Sequence, residues 1–344
     1  MRMSALAANS SVALLASLVL TVSVAKAAPD AEPVRLTGPL SHENLAVYFV
    51  HGPSKPGPVP LTLQEALANG AVRVSETGSV NTLAIENFGD QAVFVQSGDV
   101  VKGGRQDRTL MVSLLLPAKS GRIPIASFCV EHGRWSPRGG EDARSFSASP
   151  AAVPSREMKL AMQAPMPAEP GRDTGLRQQK VWDGVARAQE RLAAATGTDI
   201  RSATSATSLQ LALENEKLAE ARSAYVAALE AAGAKDGDIV GYVFAVNGKI
   251  NSAEVYESNG LFRKMWPKLL DASATEAISH RKDAKGEAPP IAAVATFLEA
   301  PAAAKPSEMP LNFGGRRITR ENDKELLFET ASSTGWVHRS YLAK

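Results

Sequence analysis

Residues 98–135 read GDVVKGGRQDRTLMVSLLLPAKSGRIPIASFCVEHGRW, and this stretch decides the fold of the chain. Two apolar runs, Arg108–Leu116 and Arg122–Glu131, are joined by the turn-forming residues PAKSG, and the pair Gly103-Gly104 precedes them. Apolar runs of this length, bounded by glycine and proline, are typical of β-strands connected by tight turns. The stretch therefore predicts consecutive antiparallel strands.

The sequence before this stretch is also rich in predicted strands. Apolar runs of strand length occur at Leu45–Val50, Leu83–Asn87 and Ala92–Gln96. The segment Thr62–Ala68 predicts a short helix instead, because Thr62 and Glu65 have the spacing of a capping box. We interpret Leu45–Trp135 as a mostly antiparallel β region.

The second half of the chain mixes helices with strands. Apolar residues at helical spacing predict helices over Lys180–Ala195, Leu213–Ala232 and Leu261–His280. Asn247-Gly248 predicts a β-hairpin, because both residues tolerate positive φ, and we expect it in or beside the sheet of residues 98–135. Further strands are predicted at Ile291–Leu298, Leu326–Glu329 and Gly335–Leu342. The pattern predicts an α+β fold with a mostly antiparallel β-sheet region and packed helices.

The ends of the chain and one polar connection suggest a division into parts. Residues 1–27 have the features of a secretory signal peptide: Arg2, the apolar run Val12–Val24 and the cleavage site Ala25-Lys26-Ala27. An uncleaved membrane anchor is the competing interpretation, although a span needs about 20 apolar residues. We expect a loose leader over 28–44, an α+β domain over 45–280 with a long connection at 136–174, and a C-terminal extension over 281–344 whose strands close the domain.

Composition narrows the classes of partner. The net charge of +2 over 344 residues argues against a surface built for nucleic acid. No run after residue 27 is long and apolar enough for stable membrane insertion once the signal is cleaved. The five histidines lack the close pairing of metal ligands, and the single cysteine excludes an internal disulfide. We therefore predict no nucleic-acid partner, no metal and no cofactor, in a periplasmic or secreted protein.

The glycine-rich segment Gly98–Arg108 does not match the common phosphate-binding motifs. A Walker motif would need lysine and then serine or threonine where the chain has Gly104 and Arg105, and no helix follows to complete a dinucleotide fingerprint. The turn displays Lys102, Arg105 and Arg108, which together with backbone N–H groups can bind a carboxylate or a phosphate. A β-bulge or hairpin whose charges face water is the alternative.

Residues 128–135, FCVEHGRW, form a second cluster of chemically active side chains. In an extended strand Cys129 and Glu131 share a face. A catalytic thiolate needs a base and a positive field, which His132 and Arg134 offer. The alternatives are a structural cysteine that packs as a small hydrophobic residue and a metal ligand. Trp135 beside an arginine favours a recognition surface.

Two hypotheses for function follow from these clusters. The first is an exported binding or interaction module for an anionic small molecule, a peptide or a protein partner, with a groove lined by Lys102, Arg105, Arg108, Glu131, Arg134 and Trp135. The second is a hydrolase-like enzyme that uses Cys129, or a carboxylate such as Asp107 or Glu131, with support from arginine.

Four blocks of the sequence resemble one bacterial domain family. They are GDVVKGGRQDRTL with MVSLLLP, IPIASFCVEHGRW, KVWDGVARAQ, and VFAVNGKINSAEVYESNGLFRKMWPKLLDASATEA, which together span most of Leu61–Ala277. The family is named for its association with ARG (ADP-ribosylglycohydrolase) and rhodanese-phosphatase-superfamily proteins. The resemblance implies a compact α+β domain and implies no established reaction. The signal peptide and the polar extension from about Lys282 are departures from the family pattern.

The signal-peptide pattern predicts cleavage before Ala28. Mass spectrometry of the protein expressed in a Gram-negative host should find a periplasmic species that begins at or near Ala28. A full-length cytoplasmic species would contradict the prediction.

Overall fold

The structure is a computed structural model that describes residues 35–163 and 172–344, with the backbone alone at 172 and 173. Residues 1–27, the predicted signal peptide, lie outside the described residues. The same holds for residues 28–34 of the predicted leader and for 164–171 of the predicted connection.

Strands dominate the two ends of the described chain and helices dominate its middle. In chain order the strands are β1 (Arg35–His42), β2 (Leu45–His51), β3 (Leu61–Thr62), β4 (Val72–Ser79), β5 (Thr82–Asn87), β6 (Val93–Val95), β7 (Asp99–Gly103), β8 (Arg108–Leu110), β9 (Leu114–Leu116), β10 (Gly121–Cys129), β11 (Phe146–Ala152), β12 (Ile239–Val246), β13 (Lys249–Tyr256), β14 (Ser307–Pro310), β15 (Arg316–Glu321), β16 (Glu325–Ser332) and β17 (Gly335–Ala343). The helices are α1 (Leu63–Ala68), α2 (Arg156–Gln163), α3 (Arg172–Thr196), α4 (Leu209–Leu213), α5 (Glu216–Gly233), α6 (Asn259–Ser279) and α7 (Ile291–Glu299). Single 3₁₀ turns occupy Ala300–Ala303 and Asn312–Gly314. Among the described residues, no helix has the length and apolar character needed to span a membrane.

The largest sheet has eight antiparallel strands in the order β1-β2-β12-β13-β17-β16-β15-β14. Its neighbouring strands β2 and β12 are buried along their whole length. Val47 of β2 packs with α6 in one hydrophobic cluster, and its neighbour Tyr48 packs with α7 in another. Because both faces of the sheet are covered, the run LAVYFV is continuously apolar rather than alternating.

A six-stranded antiparallel sheet, in the order β11-β7-β8-β10-β5-β4, carries the clusters singled out in the sequence. Strand β10 pairs with β5 through residues 121–126 and with β8 through residues 127–129. The turn between β7 and β8 therefore lies beside the end of β10. A small third sheet, β3-β6-β9, contains one parallel and one antiparallel pair.

The combination of helices with large antiparallel sheets confirms the predicted α+β fold. The capping box at the start of α1 is also confirmed, with the Thr62 hydroxyl and the Glu65 carboxylate each accepting a backbone N–H bond. The Asn247-Gly248 turn joins β12 to β13, with φ of 52° and 78°. This hairpin belongs to the eight-stranded sheet and not to the sheet of β7, β8 and β10, which corrects the expectation of a shared sheet.

The run Arg108–Leu116 is not one strand, because β8 and β9 lie in different sheets. The chain leaves the six-stranded sheet at Met111. The Met111 carbonyl accepts hydrogen bonds from Gln163 at 2.9 Å and from the Ser97 hydroxyl at 3.0 Å. The Ser113 hydroxyl accepts the Ser97 N–H at 2.9 Å. Side chains here replace the strand-to-strand bonds that a continuous β-strand would make.

Three other segments differ from their predicted structure. Residues 35–42 of the predicted loose leader form β1, which pairs with β2. The predicted connection at 136–174 contains β11 and α2, so it is not a structureless linker. Residues 291–298 form helix α7 rather than a strand, since Val294 and Phe297, three positions apart, are the buried side chains. The C-terminal strands β14 to β17 occupy half of the large sheet.

The buried aromatic core of α6 provides a test of this packing. Phe262 has no exposed surface and contacts the rings of Tyr256 and Trp266. Phe262→Ala should lower the free energy of unfolding by about 3–5 kcal/mol, because it leaves a cavity in the core. The matched control is Phe88→Ala, at a phenylalanine that is 38% exposed. Urea denaturation of both variants checks the prediction, and equal losses would contradict it.

Candidate functional site

The turn between β7 and β8 requires glycine at two successive positions. Gly103 and Gly104 have φ of 117° and 56°, a region that residues with a Cβ rarely adopt. A Cβ on Gly104 would lie 2.8 Å from Oε1 of Glu76. Without that Cβ, Glu76 approaches the turn and accepts the backbone N–H of Arg105 at 3.0 Å. The Asp107 carboxylate closes the turn by accepting the N–H of Gly103 at 3.0 Å.

Four ionic side chains form a charge network behind this turn: the buried Asp107, Glu131 and Arg138, and Arg134, whose side chain is 10% exposed. Both terminal nitrogens of Arg138 donate to Asp107, at 2.6 and 2.7 Å. Arg134 binds Glu131 at 2.7 Å. Crossed pairs lie farther apart, with Arg134 at 3.8 Å from Asp107 and Arg138 at 3.6 Å from Glu131. Each buried carboxylate thus faces two cations, which is the compensation that a buried charge requires.

Hydrogen bonds keep Glu131 in its ionised form. Burial alone raises the pKa of its carboxyl group, but hydrogen bonds from Arg134, from the Ser205 hydroxyl and from the backbone N–H of Asp107 outweigh burial and lower the pKa. The Ser208 hydroxyl donates to Asp107 at 2.8 Å while it caps the start of α4. The segment that precedes α4 is therefore tied to the charge network at two serines.

Arg108 lies next to the charge network and is incompletely hydrogen-bonded. Its side chain is 0% exposed, and its Nη1 donates to the carbonyl of Gln106 at 3.0 Å. Its Nη2 lies 3.6 Å from Glu76 Oε1, and neither Nε nor Nη2 has a hydrogen-bond partner among the described residues. Trp135, 43% exposed, lies above it, with the guanidinium groups of Arg105 and Arg108 at 5.3 and 5.6 Å from the indole ring.

The structure brings most of the predicted ligand-binding residues together, though not as an open groove. Arg105, Arg108 and Trp135 form one group, and the Glu131–Arg134 pair lies beside it in the charge network. Arg108 is buried, which corrects the expectation that the turn displays it. Lys102 pairs instead with Glu214, at the end of α4, at 2.8 Å.

Cys129 is packed in the interior rather than exposed to substrate. The side-chain amide of Gln178 accepts its backbone N–H and donates to its carbonyl, both at 2.9 Å. The nearest polar contact of Sγ is the Val80 carbonyl at 3.9 Å. Burial raises the pKa of the thiol from 9.0 to about 11. At neutral pH the group is a thiol, which is a weak nucleophile.

His132 does not serve as a base for this cysteine. Its ring packs edge-on against Trp182, with 4.4 Å between the ring centroids. Within residues 35–163 and 172–344, no group of three or more histidine, cysteine, aspartate or glutamate side chains is arranged to hold a metal ion.

Comparison with known families assigns the chain to a domain family. A family model of the ARG and Rhodanese-Phosphatase-superfamily-associated Protein domain matches residues 33–342. The chain belongs to this domain family. No curated protein and no solved structure matches the chain.

The family match extends beyond the part of the chain in which the sequence motifs were found. Those motifs span most of Leu61–Ala277, whereas the match includes β1 near its start and most of β17 at its end. The sequence predicted a leader over 28–44 and an extension over 281–344. The strands that these two segments form lie within the matched domain.

Sequence reasoning missed Arg138, Ser208 and Glu76, which complete the site. Arg138 lies in a Ser-, Pro- and Gly-rich segment with no periodicity, so its pairing with Asp107 had no local signal. Ser208 precedes a short helix as an N-cap residue, which was detectable. Glu76 reaches the site only because β4 and the β7–β8 turn meet in the folded protein.

The burial of Cys129 predicts a structural role for its side chain. Cys129→Ser should lower the free energy of unfolding by about 1–2 kcal/mol, because the hydroxyl enters a buried site where the Val80 carbonyl lies 3.9 Å from the present Sγ, beyond hydrogen-bond distance for oxygen. Native protein should react slowly with a disulfide-exchange reagent at pH 8, and unfolded protein quickly. Rapid labelling of the native protein would contradict this role.

The raised thiol pKa also sets a pH window for this effect. Because the folded-state pKa, about 11, lies above 9.0, the thiol stabilises the folded state fully below about pH 9. That contribution is lost as the pH rises through about 11. The stability difference between wild type and Cys129→Ser should therefore shrink across this window.

Proposed function

We propose that the domain is a binding module for an anionic group, a carboxylate or a phosphate, of a small molecule or peptide. The groups that hold the anion are Arg105 and Arg108, with Trp135 as the contact that covers them. The observation that supports this proposal is the buried guanidinium of Arg108, whose Nε and Nη2 have no hydrogen-bond partner among the described residues.

An unpartnered buried donor is costly, by about 1–3 kcal/mol and more when charged. Buried polar groups are otherwise nearly always hydrogen-bonded, so an exception of this kind is a candidate for ligand binding. An anion that displaces the Trp135 side chain would accept hydrogen bonds from these donors. Trp135 is exposed and so has room to move.

The pairing of charges also supports Arg105 and Arg108 as the groups that bind the anion. In the charge network Arg134 and Arg138 are each paired with a buried carboxylate. Arg105 is exposed and makes no ion pair with a described residue; its guanidinium contacts the Trp135 ring. It therefore offers an uncompensated charge at the surface directly beside Arg108.

The same contacts favour binding over hydrolysis. Asp107 is held by Arg138, and Glu131 has a lowered pKa, so it is not poised to donate a proton. Cys129 is a protonated, buried thiol at neutral pH. The hydrolase hypothesis thus has no free acid, base or nucleophile among its three candidate residues.

We place this binding outside the cytoplasm, in the periplasm or the extracellular medium. The support is the signal-peptide pattern of residues 1–27. The anion would then be one available in that compartment, either free or as part of a peptide or protein partner.

Calorimetric titration with inorganic phosphate and with acetate tests the proposed anion site. Arg105→Ala should weaken the binding of both probes about tenfold, since one charge-assisted hydrogen bond contributes about 1.5–3 kcal/mol. Arg122→Ala, at an exposed arginine of β10, is the matched control and should bind like wild type. Arg108→Lys keeps a cation beside Glu76 and should bind as weakly as Arg105→Ala.

Tryptophan fluorescence provides a second readout of the same titrations. Phosphate should change the emission of wild type and leave that of Trp135→Phe unchanged, because Trp135 must move. The proposal fails if neither anion binds wild type at millimolar concentration, or if Arg105→Ala binds both as tightly as wild type does.

A further inference from the structure

Two adjoining cavities lie outside the site described above. One has a volume of about 280 Å³ and is lined by the β12–β13 turn and the end of α6. The other has a volume of about 250 Å³ and lies between α2, α3 and α6. Arg156, Arg191 and His280 line both cavities, so the two adjoin at these side chains and together form a two-part space.

Cationic side chains line this space, and two of them are uncommitted. Arg191 contacts the His280 ring at 2.8 Å and lies 3.6 Å from Asp283, and Arg187 pairs with Glu157. The guanidinium of Arg156 and the ammonium of Lys249 form no ion pair with a described residue. These two groups are therefore available to an anion.

Two asparagines that line this space each have a side-chain oxygen without a hydrogen-bond partner. Asn247 donates its amide N–H to the His280 carbonyl at 2.8 Å, and Asn251 donates to Glu276 at 3.3 Å. Since carbonyl and carboxylate oxygens only accept, these bonds fix each amide with its oxygen pointing away. Both Oδ1 atoms are unpartnered and closed to water, and Asn251 is only 5% exposed, so a ligand hydroxyl reaches them only when neighbouring side chains move. Such oxygens need a donor, such as a hydroxyl group.

Carboxylates also line the space and restrict what can bind. Asp283 is half-exposed beside Arg191, and Glu276 is buried beneath Asn251. These two carboxylates repel an inorganic anion, whose only favourable contacts here are with the cationic side chains. A ligand that also carries hydroxyl groups can donate to the asparagine oxygens and so gains more.

We propose that these cavities form a second ligand site, for a hydroxyl-bearing organic anion of the size of a sugar phosphate or a sugar acid. Arg156 and Lys249 hold the anionic group, and Asn247 and Asn251 accept hydrogen bonds from hydroxyls. The larger cavity, with a volume of about 280 Å³, is close to the smallest small-molecule sites. The site shares no residue with Arg105, Arg108 and Trp135, so it does not depend on the anion site proposed there.

Titration calorimetry of the Arg105→Ala protein tests this site while the anion site at Arg105 and Arg108 is weakened. The probes are glucose 6-phosphate, gluconate, glucose and inorganic phosphate. At least one of the two hydroxylated anions should bind ten times more tightly than both glucose and inorganic phosphate. The phosphate and carboxylate probes distinguish the two anionic groups.

Variants then connect the affinity to the named residues. Lys249→Ala and Arg156→Ala should each weaken the hydroxylated anion about tenfold, while Lys235→Ala, at an exposed lysine after α5, should have no effect. Asn251→Ala should remove the preference over inorganic phosphate and leave phosphate affinity unchanged. Lys249 is exposed, so its variant folds even if Asn251→Ala does not.

Two results would overturn the proposal. The first is that neither hydroxylated anion binds more tightly than glucose and inorganic phosphate. The second is that Lys249→Ala binds them as tightly as the Lys235→Ala control does. Either result is distinguishable from a failure of the anion site at Arg105 and Arg108, because that site is weakened in the protein titrated and contains neither Arg156 nor Lys249.

Discussion

The pairing of Asp107 with Arg138 is the interaction on which the rest of the site depends. Asp107 has no exposed surface, and a buried carboxylate without a cation costs several kcal/mol. Arg138 supplies that cation from a segment 31 positions further along the chain, and Ser208 adds a hydrogen bond from the start of α4. Three segments distant in sequence are thereby held against the glycine turn, and Trp135 is carried into place above Arg108.

Charged side chains that are paired with one another are not available to bind a ligand. The charge network contains two acids and two bases that are committed to one another, and Arg138 also pairs with Glu141 at 2.9 Å, so these charges serve to position the loops. Arg108 is different, because its counterion Glu76 lies 3.6 Å away and leaves two nitrogens unpartnered. The cavities around Arg156 and Lys249 show the same contrast, with paired residues beside unpaired ones. In both places, the proposed binding rests on incomplete pairing rather than on the number of charges.

Local sequence signals predicted what local contacts determine. The Asn247-Gly248 turn and the Thr62 capping box depend on a few adjacent residues, and both are present. Strand β11 and helix α2 were missed because a Ser- and Pro-rich segment gains its structure from the surfaces on which it packs. Helix α7 was misinterpreted because short apolar runs fit helix and strand equally well. The pairing of Arg138 with Asp107 had no sequence signal, since only folding brings the two together.

Gln178 also affects the edge of the sheet at the end of β10, where it bonds both backbone groups of Cys129. Strand β5 ends its pairing with β10 at Ala126, so the last residues of β10 have no strand on that side. The side-chain amide of Gln178 accepts and donates there as a peptide group would. At Ser127 the Asn81 side chain donates to the carbonyl at 3.3 Å, and the Asn81 backbone carbonyl accepts the N–H at 3.0 Å. Unpaired strand edges are the places where protein chains stack on one another into aggregates. Gln178 and Asn81 thus occupy the backbone groups of β10 that another strand would otherwise pair with.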